Sequence, residues 1–465
     1  MVSGCAVSVN SKKADHNDSL GARFSASIDR FTQGASDKQL LVGVSGGVDS
    51  VALLSLAADW QQHPQRSVRA VYIDHGLQSQ SEQWLQHCQQ LCENLSVEFH
   101  TRQVKVNLNT GLSPEAAARD ARYDALLQMI KQGEYLCTGH HANDQAETLL
   151  LQLLRGAGVS GLAAMPACRE FGQGFLARPL LNITRDEILH YAKSKALQWC
   201  EDPSNQSLGY DRNYIRHKVL PVIEQRWPSV ANSLSRSAAH CAEADVLLKE
   251  LAAVDLADNR LGAREGNKEG NRAEEHLSKD PSDADRFDNH QQISVSKLHS
   301  LSLPRCKNSL RHWIAASGYL PPSQAQLQQI VDGLVNASDD SHGLVNFGSA
   351  QVTRYNNQLY IGVRGSFEQA PDFEYQWSNR EQPLVIAEAG WTLRTGSHPA
   401  LQSTTVETLT VRNRRGGERL RSDGAAHSVS VKSLLQQKRL PPWQRSRLAL
   451  VYEGETLLCI CGPGL

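Results

Sequence analysis

"LLVGVSGGVDSVALLSLA" occupies residues 40–57, and its reading decides how the first half of the chain folds. Leu40 to Val44 is a short unbroken apolar run of the kind a buried parallel strand requires, and Val48 to Trp60 resumes apolar residues at helical spacing. Between them Ser45-Gly46-Gly47-Val48-Asp49-Ser50 forms a strand-to-helix turn. Its backbone amides and the helix N-terminus make an anion site, the two glycines let a phosphate approach closely, and Ser45 and Ser50 add hydroxyl donors. The G-x-x-x-x-G-K-[ST] spacing is absent, so no lysine grips terminal phosphates here. Asp49 stands in the loop instead. A carboxylate beside phosphates repels them unless a cation bridges the two, so Asp49 is expected to carry Mg2+ shared with nucleotide oxygens. The blander reading is an ordinary Ser/Gly turn in which Asp49 favours the helix start.

Working outward, further strand-like runs lie at Arg69 to Ile73, Val97 to Arg102 and Glu134 to Thr138. Helical periodicity appears at Ser81 to Asn94, Pro114 to Lys131 and Asp144 to Leu154, the second of these opening with Ser113 as cap and Pro114 at its first position. This alternation from about residue 25 to 225 predicts a doubly wound α/β domain with a parallel sheet. Ser45 to Ser50, Asp74-His75 and Gly139 to Glu147 each follow a strand, so they should converge on the sheet's carboxyl edge, where α/β proteins bind ligands.

The chain has 465 residues, too many for one ordinary core. Residues 1–24 read as a polar N-terminal extension, 25–225 as the α/β domain, 226–370 as a mainly helical middle domain, and 384–465 as a small β-rich domain beyond a linker near 371–383. Within the middle domain, residues 251–290 carry ten acidic and six basic side chains without apolar periodicity, which marks a solvated insert. Hydrophobic content is 40% and charged content 21%, as in globular proteins. No apolar run reaches the roughly 18 residues that a membrane span needs. The start of the chain has no secretory pattern, so the cytoplasm is expected. Ten cysteines include no Cys-x2-Cys pair for zinc or redox work. Net charge is −1, so nothing global announces nucleic acid. Between Val411 and Arg447, however, Arg412, Arg414, Arg415, Arg419, Arg421, Lys432, Lys438, Arg439, Arg445 and Arg447 face only Glu418 and Asp423, a local excess of eight positive charges. With Trp443 nearby, this suits an RNA backbone and a stacking contact, although charge runs are often merely solvated.

Ser-Gly-Gly-x-Asp-Ser after a buried strand resembles the pyrophosphate loop of the PP-loop ATP pyrophosphatases. "YIDHG" (72–76), "AAARDARYDAL" (116–126), "TGHHANDQAETLLLQLLRGAG" (138–158), "RPLL" (178–181) and "WCEDPSNQSLGYDRNYIRHKVLP" (199–221) narrow the likeness. Together with "RRGGERLR" (414–421) and "KSLLQQKRLPPWQR" (432–445), they resemble the tRNA(Ile)-lysidine synthetases across most of the chain. The resemblance implies ATP and Mg2+ as cofactors, with tRNA(Ile) bearing a CAU anticodon and L-lysine as partners. It implies an adenylated tRNA intermediate, lysidine as product, and no membrane. The oligomeric state stays open, a homodimer included.

On that resemblance Ser45, Gly46, Gly47, Val48, Asp49, Ser50, Asp74 and His75 are nucleotide-binding, with Asp49 also the metal ligand. Asp49, Arg119, Asp144, Glu147 and His140 are catalytic. Asp144 and Glu147 lie three apart on one helical face, fit to bind lysine or move its proton, or else to form a capping box with Asp144 as N-cap and Glu147 at its third position. His140 and His141 read as a base, a hydrogen-bond donor or a buried pair. Arg119 and Arg122 are a guanidinium source for the intermediate or surface ion pairs with Asp120 and Asp124. Arg212, Arg216, Arg414, Arg415, Arg419, Arg421, Lys432 and Arg445 are expected to contact tRNA. A sulfur-transferring relative on the same scaffold would need the Cys-x2-Cys pair that is missing, and an inactive RNA-binding descendant would be expected to have lost Asp49 or a loop serine.

Overall fold

The computed structural model describes residues 11–33, 37–74, 76, 80–106, 114–201, 208–257, 292–338, 343–420, 428–438 and 440–462. It divides into two compact units, Met1–Leu247 and Leu248–Leu465.

The first unit begins with helix α1 (Ser11–Phe31), then β1 (Lys38–Val44), α2 (Val48–Trp60), β2 (Arg66–Asp74), α3 (Ser81–Asn94), β3 (Glu98–Gln103), α4 (Pro114–Met129), β4 (Tyr135–Cys137) and α5 (Ala142–Leu154). A short α6 (Val159–Leu162), β5 (Cys168–Phe171), β6 (Gly174–Ala177) and α7 (Arg185–Ser194) follow. The strands form one six-stranded sheet in the order β3-β2-β1-β4-β6-β5. All neighbours are parallel except β5, which turns back antiparallel on β6. Strand order therefore reverses between β1 and β4, the place where an open α/β sheet leaves a crevice at its carboxyl edge.

Both faces of the sheet are covered, as the apolar run in β1 requires. One core joins Leu40, Val42 and Val44 to α2, to Cys88 and Cys92 of α3, and to Ile188 and Tyr191 of α7. Leu41, Leu136 and Leu176 face the other way, onto Leu126 and Ile130 at the end of α4. Helix α2 is buried along nearly its whole length, so its sequence is apolar all round. Helix α1 starts inside the stretch that reads as a polar extension. Its Leu20, Phe24 and Ile28, four apart on one stripe, are buried against the same core.

After α7 the chain forms α8 (Asp211–Tyr214), a π-helical turn at Ile215–Val219, α9 (Leu220–Arg226) and α10 (Val230–Leu256). Residues 251–256, which read as the start of a solvated insert, belong to α10 instead. Ala252 and Asp255 are buried, and Asp255 pairs with Arg305. Residues 258–290 of that insert lie outside the described residues.

The second unit packs helices at Val295–Ser300, Leu303–Ala316 and Gln324–Ile330 onto a four-stranded sheet made by Gln292–Ser294, Leu344–Phe347, Ala350–Tyr355 and Gln358–Val363. A further four-stranded sheet joins Glu374–Trp377, Leu409–Arg412, Ala449–Glu453 and Thr456–Cys461. Its first strand falls within the stretch that reads as a linker.

Candidate active site

The loop after β1 is built by backbone conformation and two serines. Gly46 has a φ of +82°, the left-handed region that glycine enters without strain. The Cys200 N–H donates to the Gly46 carbonyl at 2.8 Å, strapping the loop down. The Ser45 N–H donates to Ser50 Oγ at 3.1 Å, and Ser50 Oγ donates onward to the Gly47 carbonyl at 2.9 Å. Ser50 is thus buried and shapes the loop from inside, whereas Ser45 is exposed. Gly47 caps α2 without a side chain, leaving the first amides of a helix directed at the crevice.

Asp49 stands in the first turn of α2, and its Oδ1 is buried with no hydrogen-bond partner. A partnerless buried carboxylate oxygen at a helix N-terminus fits a cation ligand. Among the described residues no group of three or more His, Cys, Asp or Glu side chains could hold a metal alone. Mg2+ needs no such cage when one carboxylate and substrate phosphates share it, so the donor set fits.

The segment after β4 is pressed against this loop. A Cβ on Gly139 would lie 3.0 Å from the Asp49 carbonyl carbon and 3.2 Å from Ser50 N, so a larger residue there would require the loop backbone to give way. Two residues on, buried His141 is the N-cap of α5. Its Nδ1 accepts from the Asp144 N–H at 3.3 Å, while the His141 N–H donates to Asp144 Oδ2 at 3.1 Å. The capping box is therefore His141 with Asp144, not Asp144 with Glu147, and α5 starts two residues before the expected position. With Nδ1 accepting, the neutral ring carries its proton on Nε2, 3.7 Å from Asp49 Oδ2. Burial opposes charge on His141, but Asp144 and Asp49 overcome it and raise its pKa. Sequence reasoning chose His140 rather than His141; the N-cap position followed three residues later by Asp144 was the available signal. His140 Nδ1 hydrogen-bonds Thr138 Oγ1 at 2.8 Å, and burial drives its pKa down to about 4, so it is neutral at physiological pH.

Asp144 and Glu147 are buried and meet two arginines from α8 and the π-helical turn. Arg212 reaches Glu147 Oε2 at 2.8 Å and Asp144 Oδ1 at 2.9 Å. Arg216 reaches Glu147 Oε1 at 2.6 Å and Asp144 Oδ1 at 3.0 Å. Burial alone would raise the Asp144 carboxyl, but His141, Arg212, His140 and Arg216 hold it down at about 2. Two carboxylates face two guanidiniums here, a cluster balanced in charge. The structure thus brings Arg212 and Arg216 into the acid pair's site.

Asp74 ends β2 on the same edge, and its Oδ1 accepts the Gly76 N–H at 2.9 Å. His75 lies outside the described residues. Arg119 is exposed on α4, its guanidinium 5.2 Å from the centre of the Tyr123 ring.

Residues 20–223 match the model of a PP-loop domain, 293–360 that of the TilS substrate binding domain, and 409–465 that of the TilS substrate C-terminal domain. The chain is 38% identical to the tRNA(Ile)-lysidine synthase of Coxiella burnetii over 92% of its own length and 89% of that protein. To that of Alkalilimnicola ehrlichii it is 37% identical, over 91% and 89%. The chain belongs to the tRNA(Ile)-lysidine synthase family. These enzymes are ligases, and the loop–Asp49–His141–Asp144 line lies within the family's PP-loop segment.

The basic residues of the lysidine synthase C-terminal segment divide by partner. Arg414 and Arg415 pair with Glu418 and Glu374 at 3.5 and 2.5 Å. Arg419 donates to Ser428. Arg445 donates to the Leu440 carbonyl and, at 2.8 Å, to the Tyr355 hydroxyl, and Arg447 donates to the Ser366 carbonyl. Lys432 and Lys438 are exposed. Arg421 and Arg439 lie outside the described residues. Trp443, expected as an RNA-stacking residue, is buried edge-on against Tyr355, Tyr360 and Phe367, and is a core residue. Among the described residues no helix is long and apolar enough to cross a membrane.

Proposed function

We propose that the protein uses ATP to adenylate the C2 oxygen of the wobble cytidine in CAU-anticodon tRNA(Ile), and then joins lysine at that carbon. In the first step the C2 oxygen attacks the α-phosphorus and pyrophosphate leaves. In the second, the lysine ε-amine attacks C2, gives up a proton, and AMP leaves. The product, lysidine, pairs with A, so decoding passes from AUG to AUA. Family membership supports this reading, and the observation that carries it is the meeting of the Asp49 loop with the His141–Asp144–Glu147 helix start at the β1/β4 switch point.

Each residue has a part in this scheme. The amides after Gly47 receive phosphate oxygens. Asp49 Oδ1 would hold Mg2+, which neutralises charge on the departing pyrophosphate. The balanced cluster of Asp144, Glu147, Arg212 and Arg216 complements a zwitterion: carboxylates for the lysine α-ammonium, guanidiniums for its α-carboxylate. That leaves the ε-amine free as nucleophile. His140, held neutral, offers an acceptor that a charged imidazolium would lack. Arg119 stabilises negative charge on the intermediate. The α/β domain at 25–225 performs the chemistry, while 226–370 and 384–465 contact tRNA, the latter through Arg414, Arg415, Arg419, Arg421 and Lys432.

The test incubates the protein with ATP, lysine and tRNA(Ile) carrying a CAU anticodon, then measures AMP and, after nuclease digestion, lysidine by mass. Both should appear in equal amounts. AMP without lysidine, or neither, refutes the reading.

A further inference from the structure

Arg178 is a buried cation that no carboxylate pairs with among the described residues. It follows β6 directly, and because the Thr138 N–H donates to the Ala177 carbonyl at 3.1 Å, it leaves the sheet at the same edge as His140. It is only 5% exposed. Its Nη1 donates to the Pro166 carbonyl at 2.6 Å, but its Nε is buried without a partner. The Tyr123 side chain hydrogen-bonds it, Arg169 adds a further positive charge nearby, and the exposed guanidinium of Arg119 lies over the Tyr123 ring. Burial first, and then the charges of Arg178, Arg212 and Arg119, push proton affinity down at His140. Arg212 is balanced by Asp144 and Glu147; among the described residues, Arg119 and Arg178 have no carboxylate.

A buried charge without a partner is unfavourable, and a second like charge nearby makes it worse. An arriving anion relieves both. We propose that Arg119 and Arg178, bridged by Tyr123, form a phosphate site separate from the Asp49 loop, with Arg119 touching the phosphate and Arg178 reinforcing it from behind. Two guanidiniums without a carboxylate partner among the described residues exceed what one carboxylate neutralises, and planar guanidinium forks suit phosphate oxygens. The phosphate has two possible sources, the α-phosphoryl group of the nucleotide and the tRNA phosphodiester next to the target cytidine. This inference rests on the proposed lysidine-forming reading for the identity of those sources.

The test compares full-length wild type, Arg178→Gln, Arg178→Lys and Arg119→Gln by equilibrium binding of ATP, of inorganic pyrophosphate and of tRNA(Ile), each alone. The nucleotide source predicts that both Gln variants bind ATP at least tenfold more weakly with pyrophosphate binding unchanged. The tRNA source predicts weaker tRNA binding with a shallower salt dependence and unchanged ATP binding. In either case Arg178→Lys should recover most of the loss. Arg119 is exposed, so its variant reports on the site even where Arg178→Gln disturbs folding. Unchanged ATP and tRNA binding in Arg119→Gln, or a change confined to the lysine requirement in turnover, overturns the phosphate site. None of the binding measurements needs lysidine to form, so failure of the enzyme assay and failure of this site are separable.

Discussion

His140 and His141 are neighbours in sequence with opposite electrostatics. His140 is depressed from the ordinary 6.5 to about 4 by burial, so on acidification the unfolded chain takes the proton first. Its stabilising contribution is present above pH 6.5 and is lost as pH falls towards 4. His141 is raised, so its contribution is present below 6.5 and is lost as pH rises through its folded value. Replacing His140 with Gln should therefore flatten the acid limb, sparing about 3 kcal/mol of the stability lost between pH 6.5 and 4. Urea melts at pH 7 and pH 4 check this, and an undiminished acid loss would show that His140 is not buried neutral. Asp49→Ala should remove AMP formation while tRNA affinity stays within about threefold, because its orphaned Oδ1 is the oxygen proposed to hold Mg2+ and has no proposed part in RNA binding. Glu147→Gln keeps shape but deprives Arg212 and Arg216 of a charge. Single-turnover kinetics should then show adenylated tRNA still accumulating while lysidine formation slows at least tenfold and needs more lysine. An unaffected lysine step would reduce Glu147 to a structural ion pair.

At the scale of elements, helices whose signals are local were legible. Val48 to Trp60 and Ser81 to Asn94 stand where their periodicity puts them, and β1 to β4 follow the apolar runs to within a few residues. The start of α5 was misplaced because Asp144 is as good a cap as His141 by composition, and only the reciprocal hydrogen bonds decide between them. Arg212 and Arg216 read as tRNA contacts, and their pairing with Asp144 and Glu147 was not legible because those partners lie 65 to 72 residues earlier, a distance no local pattern reports. Trp443 misled for the same reason: its basic neighbours in sequence suggested RNA, but its neighbours in space are aromatic. Gly139 is where one element's position serves another's chemistry. Gly139→Ala would force its new Cβ away from the Asp49 and Ser50 backbone, which should cost about 1–3 kcal/mol of stability and displace the phosphate loop. ATP affinity should fall at least tenfold; wild-type affinity would show that the two segments need not touch.

For the whole molecule, the basic C-terminal segment carries charge that its own fold only partly uses. Lys432 and Lys438 are exposed on one helix and its end, so reversing both to Glu should weaken tRNA binding and lower its log–log salt slope by about 1.4–1.8, at 0.7–0.9 per phosphate contact. An unchanged slope places the RNA elsewhere. Cutting the chain at residue 383 is a poor test of the same idea, since it removes Trp443 from the aromatic cluster with Tyr355, Tyr360 and Phe367. Residues 258–288, by contrast, should be replaceable by a short Gly/Ser linker with little change in Tm, provided Asp255 is kept for Arg305. The strand order also sets a timetable for synthesis. β1 finds β2 within thirty residues, but its other edge pairs with β4 through Leu40 with Tyr135 and Val42 with Cys137. At about 5–20 residues per second, the ribosome takes roughly 5–20 s to deliver that partner. For that interval a strand with an unbroken apolar run has one open side, and growth temperature and translation speed, more than final stability, should govern how much of the chain escapes aggregation.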